Sequence, residues 1–195
     1  MESLIMPHMK SKGAAKKIYL ELINSVSMSA LLPHEFVQVM MDRYYKREPK
    51  PDRNVHGTYF EYVIGEALAQ NGVTSMYYQA DVLHVPLVTF DWFLYHDTHP
   101  VSISCKTKAR DKWKQAAHEA MALKQVYVQA TNYLVTIEPL AKSTVKKTLV
   151  PNTIDHFVVA NKPEFSQAVI DIAGREYVRA RDRSPIQKGS FVPVA

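Results

Sequence analysis

The sequence contains a single cysteine, Cys105, among 195 residues. One cysteine excludes an internal disulfide and a zinc site built from several cysteines. Cys105 lies on the apolar side of an alternating strand pattern, together with Val101 and Ile103. We therefore interpret it as a core residue rather than as a nucleophile.

Long apolar runs are also missing. No stretch approaches the roughly 18 residues of a membrane-spanning helix, and the first residues show no signal-peptide pattern. Internal repeats and low-complexity segments are absent too. We expect a cytoplasmic protein with no membrane association.

Acidic residues are in the minority, at 19 against 24 lysines and arginines, which gives a net charge of +5. This balance favours an anionic partner such as nucleic acid, although charge alone does not decide it. A hydrophobic content of 47% is typical of a soluble globular chain. At this length we expect one domain over residues 1–195, with an N-terminal helical part at 1–50.

The apolar spacing predicts a run of helices, then strands, then alternating helices and strands, which favours an α/β domain with a mixed sheet. A charged, proline-containing loop is predicted at 46–57 and a basic, mobile tail after residue 180. Helices are predicted at 14–26, 31–45, 58–71, a stretch after 112, and 163–180, and strands at 75–85, 86–95, 101–106, 125–137 and 155–160.

The stretch 101–120, VSISCKTKARDKWKQAAHEA, combines a strand with the start of a helix. If Asp97 to Pro100 forms a four-residue turn, Asp91 on the preceding strand faces Lys106 directly, about 5 Å away. An acid and a lysine within two apolar strands are costly to bury without a partner or a ligand. A structural ion pair and a catalytic pair both fit this pattern.

Glu119 favours the catalytic interpretation. It lies at the edge of the helix's apolar stripe, so a helix packed over the hairpin brings it toward Asp91 and Lys106. Two carboxylates supply the oxygen ligands that Mg²⁺ takes, and Lys106 would position a water and offset charge on phosphorus. The pattern predicts phosphodiester hydrolysis.

Glu61 has two interpretations. It follows Thr58 by three residues, which is the spacing of a capping box at the start of a helix. It could equally belong to the metal site. The sequence does not separate the two.

These residues resemble the PD-(D/E)xK nuclease fold, specifically the EcoRII/NgoMIV branch of type II restriction endonucleases. Most members of the fold carry an acid two residues before the lysine, where this chain has Ser104. In that branch the acid lies on the following helix, in the pattern S/T-x-K-x(12–13)-E; here Lys106 is followed by twelve residues and Glu119. The segments HGTYFEYVIGEALAQNGV and TLVPNTIDHFVVANKPEF are similar to other parts of the branch, so the resemblance covers about residues 55–170.

The resemblance implies a restriction-endonuclease-like core at 55–180 and a set of roles. Asp91 and Glu119 would bind the metal, Lys106 would be the catalytic lysine, and Glu61 would be an additional acid. Asp81 remains a rival for the aspartate position, because Asp91 is not preceded by the family's proline.

The family's base-reading motif matches Arg110, Asp111 and Lys112, which implies adjacent G·C pairs in the target. Lys112 replaces a second arginine and lacks its planar fork. That contact would be weaker or would read another base.

The sequence thus predicts a Mg²⁺-dependent, sequence-specific endonuclease for double-stranded DNA that leaves 5′-phosphate ends. Cutting both strands requires two active sites, so a two-fold homodimer is expected. The alternatives are a structure-directed repair or recombination nuclease of the same fold, and a DNA-binding protein without catalysis.

Overall fold

A computed structural model describes residues 2–9, 13–25, 31–108, 110, 112–149, 153–180 and 185–193. Its helices are a short 3-10 turn (Met6–His8) and α1 (Ala14–Ile23), α2 (Pro33–Arg47), α3 (Arg53–Gln70), α4 (Trp113–Val126), α5 (Lys142–Thr148) and α6 (Pro163–Ala173). Its strands are β1 (Ser75–Val82), β2 (Thr89–Leu94), β3 (Val101–Lys106), β4 (Thr131–Thr136), β5 (His156–Val159) and β6 (Ile186–Pro193).

The six strands form one mixed sheet in the order β5-β4-β3-β2-β1-β6. β3, β4 and β5 are parallel, whereas β6, β1, β2 and β3 pair antiparallel. The predicted α/β class with a central mixed sheet, flanking helices and an N-terminal helical segment is confirmed. None of the helices in the described part of the chain combines the length and apolar character needed to cross a bilayer.

Two apolar layers cover the two faces of the sheet. Residues of α1, α2, α3 and α6 pack with one face in the largest core cluster. On the other face, small alanines of α4 pack against Leu134 and Ile154. Helices therefore pack on both faces of the sheet, which shields the side chains of its central strands β2, β3 and β4 from water.

Trp92 fixes α3 against β2. Its indole Nε1 donates to the backbone carbonyl of Glu61 at 2.9 Å, and its ring fills the space beside Gly65. A Cβ at position 65 would lie 2.0 Å from the Trp92 ring, so only glycine fits there. This close approach places Glu61 beside the strand that carries Asp91.

The start of α3 differs from the prediction. The helix begins at Arg53, inside the predicted loop, because the Asp52 carboxylate caps it by accepting from the backbone N–H groups of Asn54 and Val55. Thr58 is thus an interior helical residue. The capping-box interpretation of Glu61 is wrong.

The hairpin between β2 and β3 also differs. Leu94 pairs with Val101 and Trp92 with Ile103, so residues 95–100 form a six-residue connection rather than the predicted four-residue turn. Within it, the His96 ring nitrogen accepts from the backbone N–H groups of Thr98 and His99, which stabilises the longer loop. Direct pairing of Asp91 with Lys106 is therefore wrong.

The predicted mobile tail contains a strand. Residues 186–193 form β6, which pairs antiparallel with β1 and completes the sheet. Residues 181–184 of that tail lie outside the described part of the chain. The strand is hard to predict because the polar stretch from Gln187 to Ser190 interrupts its apolar alternation.

Several helices and strands begin or end at other residues than predicted. Helix α4 continues to Val126, so the following strand starts at Thr131, and α6 ends at Ala173, where Gly174 follows. Helix α5 was not predicted, since its sequence KSTVKKT has almost no apolar periodicity. The end predicted for the first helix, Val26, lies outside the described residues.

Candidate active site

Asp91 and Lys106 form the centre of the site. Lys106 Nζ lies 2.9 Å from Asp91 Oδ2, and the backbone N–H of Cys105 donates to the same oxygen at 2.7 Å. Asp91 is 8% exposed. The predicted contact is therefore present. The strand pairing ends at Trp92 and Ile103, and its register continued by one residue would place Ser104 rather than Lys106 opposite Asp91, so the lysine reaches the carboxylate diagonally.

The Lys106 ammonium is held in its charged form. Burial alone would lower its pKa, but the charge and hydrogen bond of Asp91, helped by Glu119, outweigh burial and raise the pKa above its ordinary value. A lysine in this environment donates hydrogen bonds and supplies positive charge. It is not a base at neutral pH.

Glu61 approaches the same centre from α3. Its Oε2 atom accepts hydrogen bonds from the Tyr78 hydroxyl at 2.7 Å and from the Gln79 side-chain amide at 3.0 Å. Burial, followed by the negative charge of Asp91, raises the pKa of Glu61 to about 7, against the lowering effect of Tyr78, Lys106 and Gln79. The carboxyl group therefore changes protonation near neutral pH.

Glu119 approaches from α4, on the other side of the sheet. Its two oxygens accept from Gln115 Nε2 at 2.8 Å and from Ser104 Oγ at 3.4 Å. Burial raises its pKa, which the charge of Lys106 partly offsets. The structure thus brings Glu119 next to Ser104, on the strand that ends in Lys106.

Asp81, the rival aspartate, lies elsewhere. Its carboxylate accepts from the Thr89 hydroxyl at 2.6 Å and is 3.8 Å from Lys188 Nζ in an exposed pair. Of the two aspartates, Asp91 is the one that contacts Lys106.

The base-reading candidates lie between β3 and α4. Arg110 and Lys112 are exposed, and Asp111 lies outside the described residues. Lys112 occupies the N-cap position of α4 without capping it through its side chain. Their role in recognition stays a prediction.

Sequence reasoning missed the residues that surround the carboxylates. Gln79 Nε2 donates to Glu61 Oε2 and, at 3.4 Å, to Asp91 Oδ1. Tyr78 and Ser104 hold the two flanking glutamates. The one available signal was a polar glutamine inside the strand MYYQADV.

The donor set suits a hard cation. Among the residues that the structure describes, Asp91 Oδ1 has only the long contact from Gln79, and the three acids provide carboxylate oxygens, which Mg²⁺ prefers. Within the described part of the chain, no three side chains of Asp, Glu, His or Cys are close enough together to form a complete metal site. A cation would have to draw these carboxylates together.

Comparison with known proteins gives only weak likeness. No family model matches the chain, and no curated protein matches it. One solved structure, metal-depleted Ecl18kI in complex with uncleaved DNA, is similar over 87% of this chain and 67% of its own, with a TM-score of 0.46 and 15% identity. The interpretation of the site therefore depends on its own geometry.

Proposed function

We propose that this protein is a Mg²⁺-dependent endonuclease that cuts double-stranded DNA at a specific sequence, in the manner of type II restriction enzymes. The observation that supports this most directly is the shielded Asp91–Lys106 pair with Glu61 and Glu119 directed toward it from helices on opposite faces of the sheet. A purely structural ion pair needs no further carboxylates nearby, since each one adds repulsion.

Asp91 and Glu119 are the residues that would hold the cation. When bound there, Mg²⁺ polarises the scissile phosphate and lowers the pKa of an attacking water. The contact between Ser104 and Glu119 supports this pairing. Ser104 stands where most PD-(D/E)xK nucleases carry an acid, and Glu119 brings a carboxylate to that place from the following helix.

Lys106 acts as a fixed positive charge. Asp91, which also accepts from the backbone N–H of Cys105, orients its side chain. Its ammonium group would orient the attacking water or contact a phosphate oxygen, and it would stabilise the negative charge that develops during attack. Water adds to phosphorus and the 3′-oxygen leaves, so the products carry a 5′-phosphate and a 3′-hydroxyl.

Recognition is proposed for Arg110, Asp111 and Lys112, on the connection that starts directly after Lys106. The exposure of Arg110 and Lys112 supports a role outside the protein core. An arginine suits guanine through O6 and N7, and an acid accepts from cytosine N4. Adjacent G·C pairs in the target, a two-fold homodimer and a cytoplasmic location remain part of this proposal.

The test is a cleavage assay on a large mixed-sequence duplex DNA with Mg²⁺ or with EDTA. Discrete bands are expected from the wild type with Mg²⁺ and none from Lys106→Ala, which should still bind DNA. Lys188→Ala is the matched control, because Lys188 pairs with the rival Asp81 on the surface. Arg110→Ala in the same assay should change which sites are cut.

Other outcomes separate the alternatives. Undiminished cutting by Lys106→Ala would overturn the assigned site, and loss of cutting in Lys188→Ala alone would move it to Asp81. A smear of products would identify a nuclease that does not read sequence. DNA retention without strand breaks would identify a binding protein.

A further inference from the structure

Strand β1 loses its regular alternation beside the site. Its pairing with β6 shifts by one residue between Tyr78 and Asp81, so β1 carries an extra residue there. Within the bulge, Gln79 has a φ of 51°, a left-handed conformation that residues other than glycine seldom adopt. A bulge of this kind redirects a side chain.

Gly189 of β6 makes this bulge possible. It has a φ of 142° and lies against β1 so closely that an added Cβ would be 3.2 Å from Ala80 Cα and 3.3 Å from the Tyr78 carbonyl oxygen. A larger residue at 189 would push the two strands apart. The C-terminal strand therefore shapes the candidate site without contributing a side chain to it.

The consequence is visible in the hydrogen bonds. Tyr78 and Gln79 are consecutive, yet both donate to Glu61 Oε2, which strict alternation of side chains across a sheet would prevent. Tyr77 and Ala80, on either side of them, pack together in one cluster on the opposite face. Gln79 has been turned toward α3.

The redirected amide lies between two acids. Gln79 Nε2 is 3.0 Å from Glu61 Oε2 and 3.4 Å from Asp91 Oδ1. An amide nitrogen has two N–H donors and can satisfy two acceptors at once. Among the described residues, the other donors each reach one of the two carboxylates: Tyr78 bonds to Glu61, and the Cys105 N–H and Lys106 bond to Asp91.

We propose that Gln79 is a positioning residue whose amide group holds Glu61 and Asp91 together in the metal-free protein and gives up the contact with Asp91 when a divalent cation binds. This inference rests on the proposed function, because the cation is the one required for cleavage. The amide reduces repulsion between the two acids until the cation replaces it.

The first test uses neither metal nor DNA. Gln79→Met keeps the length of the side chain and removes both N–H donors, and Gln187→Met makes the same change on the exposed surface of β6. In EDTA, the melting temperature of Gln79→Met is expected to fall by roughly 3–8 °C, with little change in the control. The fall should be much smaller when Glu61→Gln is already present, because the repulsion between the acids is then removed.

The second test adds Mg²⁺ alone. The variant has no amide to displace, so its Kd for Mg²⁺ measured by calorimetry should be several-fold lower than that of the wild type, on the order of five- to tenfold. Gln79→Asn is the second variant: asparagine tolerates the left-handed backbone, but its shorter side chain cannot reach both acids. It should behave like Gln79→Met.

Two results would overturn the inference: additive effects of Gln79→Met and Glu61→Gln on stability, and equal Mg²⁺ affinity in variant and wild type. Failure of the proposed function looks different. A wild type that binds no Mg²⁺ and cuts no DNA would overturn the cation part together with the nuclease, while the coupling in EDTA would still decide whether Gln79 joins the two acids.

Discussion

Helix α3 carries two glutamates, five residues apart, in contrasting environments: Glu66 is buried and Glu61 is half-buried. Glu66 is fully buried and accepts hydrogen bonds from Ser3 Oγ, the backbone N–H groups of Leu4 and Ile5, Tyr19 OH and Gln70 Nε2. Within the described ranges of the chain, the side chain of Glu61 accepts only from Tyr78 and Gln79, and it lies near a second carboxylate, that of Asp91.

The contrast separates a structural acid from one that the proposed function assigns to the active site. Glu66 connects the N-terminal segment and α1 to α3 through hydrogen bonds. These bonds use both of its carboxylate oxygens. Glu61 is positioned by Tyr78 and Gln79, but the repulsion between its carboxylate and that of Asp91 is not compensated. An added positive charge would therefore stabilise it. The number of hydrogen-bond donors and the presence of another acid distinguish the two glutamates.

The largest expected effect concerns Glu66. Glu66→Ala should lower the free energy of unfolding by about 3–5 kcal/mol, because several buried donors lose their acceptor at once. Urea unfolding monitored by circular dichroism measures it. Glu61→Ala is the matched control and should stay within about 1 kcal/mol of wild type, since removing the repulsion with Asp91 offsets the lost hydrogen bonds. Equal losses would erase the contrast.

The second prediction compares the same two glutamates by DNA cleavage instead of by stability. Glu61→Gln should reduce DNA cleavage by about 100-fold, because the geometry around Asp91 depends on that carboxylate, while the protein stays folded. Glu66→Gln should cut normally per folded molecule at low temperature. Cleavage rates on a single duplex, normalised to folded protein, would show it. Normal cutting by Glu61→Gln would remove Glu61 from the site.

The third prediction is a pH dependence. The pKa of Glu61 is raised from 4.5 to about 7, so the folded state binds this proton more tightly than the unfolded state. The protonated carboxyl group contributes its full share to the free energy of unfolding below pH 4.5. This contribution decreases as the pH rises and is lost above pH 7, so that the free energy of unfolding changes by roughly 2–3 kcal/mol. The difference between wild type and Glu61→Gln in urea unfolding isolates this change. Parallel curves would contradict it.

The smallest effects come from two tyrosines that each donate to one of the glutamates. Tyr19→Phe and Tyr78→Phe both remove one hydroxyl, and each should cost about 1–2 kcal/mol of stability. Only Tyr78→Phe should move the pH profile of cleavage, and it should move it upward, because the Tyr78 hydrogen bond lowers the pKa of Glu61. A shift with Tyr19→Phe instead would reverse the assignment of the two acids.

The sequence predicted the parts of the site that depend on local pattern. Asp91 and Lys106 stand out as charges within apolar strands, and Glu119 follows at a spacing that a helix explains. Their contact survived an error in the hairpin register, because two residues on the same face of neighbouring strands can still meet diagonally. The length of the turn between β2 and β3 was predicted wrongly, because no residue pattern there distinguishes four residues from six.

What the sequence did not predict depends on contacts between distant segments. The bulge at Gln79 needs Gly189, 110 residues later, on a strand whose polar stretch from Gln187 to Ser190 resembles a tail. The role of Glu61 was ambiguous because Thr58 imitates a helix start, while the actual cap, Asp52, followed a proline-rich loop. Local rules cannot rank such competing signals.

The packing of the Trp92 ring beside Gly65 also limits which substitutions these two positions can accept during evolution. Positions 65 and 92 should change together, since a side chain at 65 would occupy the volume of the indole ring. Relatives that have a larger residue at position 65 should have a smaller one at position 92 and should lose the indole bond to the Glu61 carbonyl. Paired substitution at 65 and 92 would therefore mark lineages in which helix α3, and Glu61 with it, has shifted relative to the sheet.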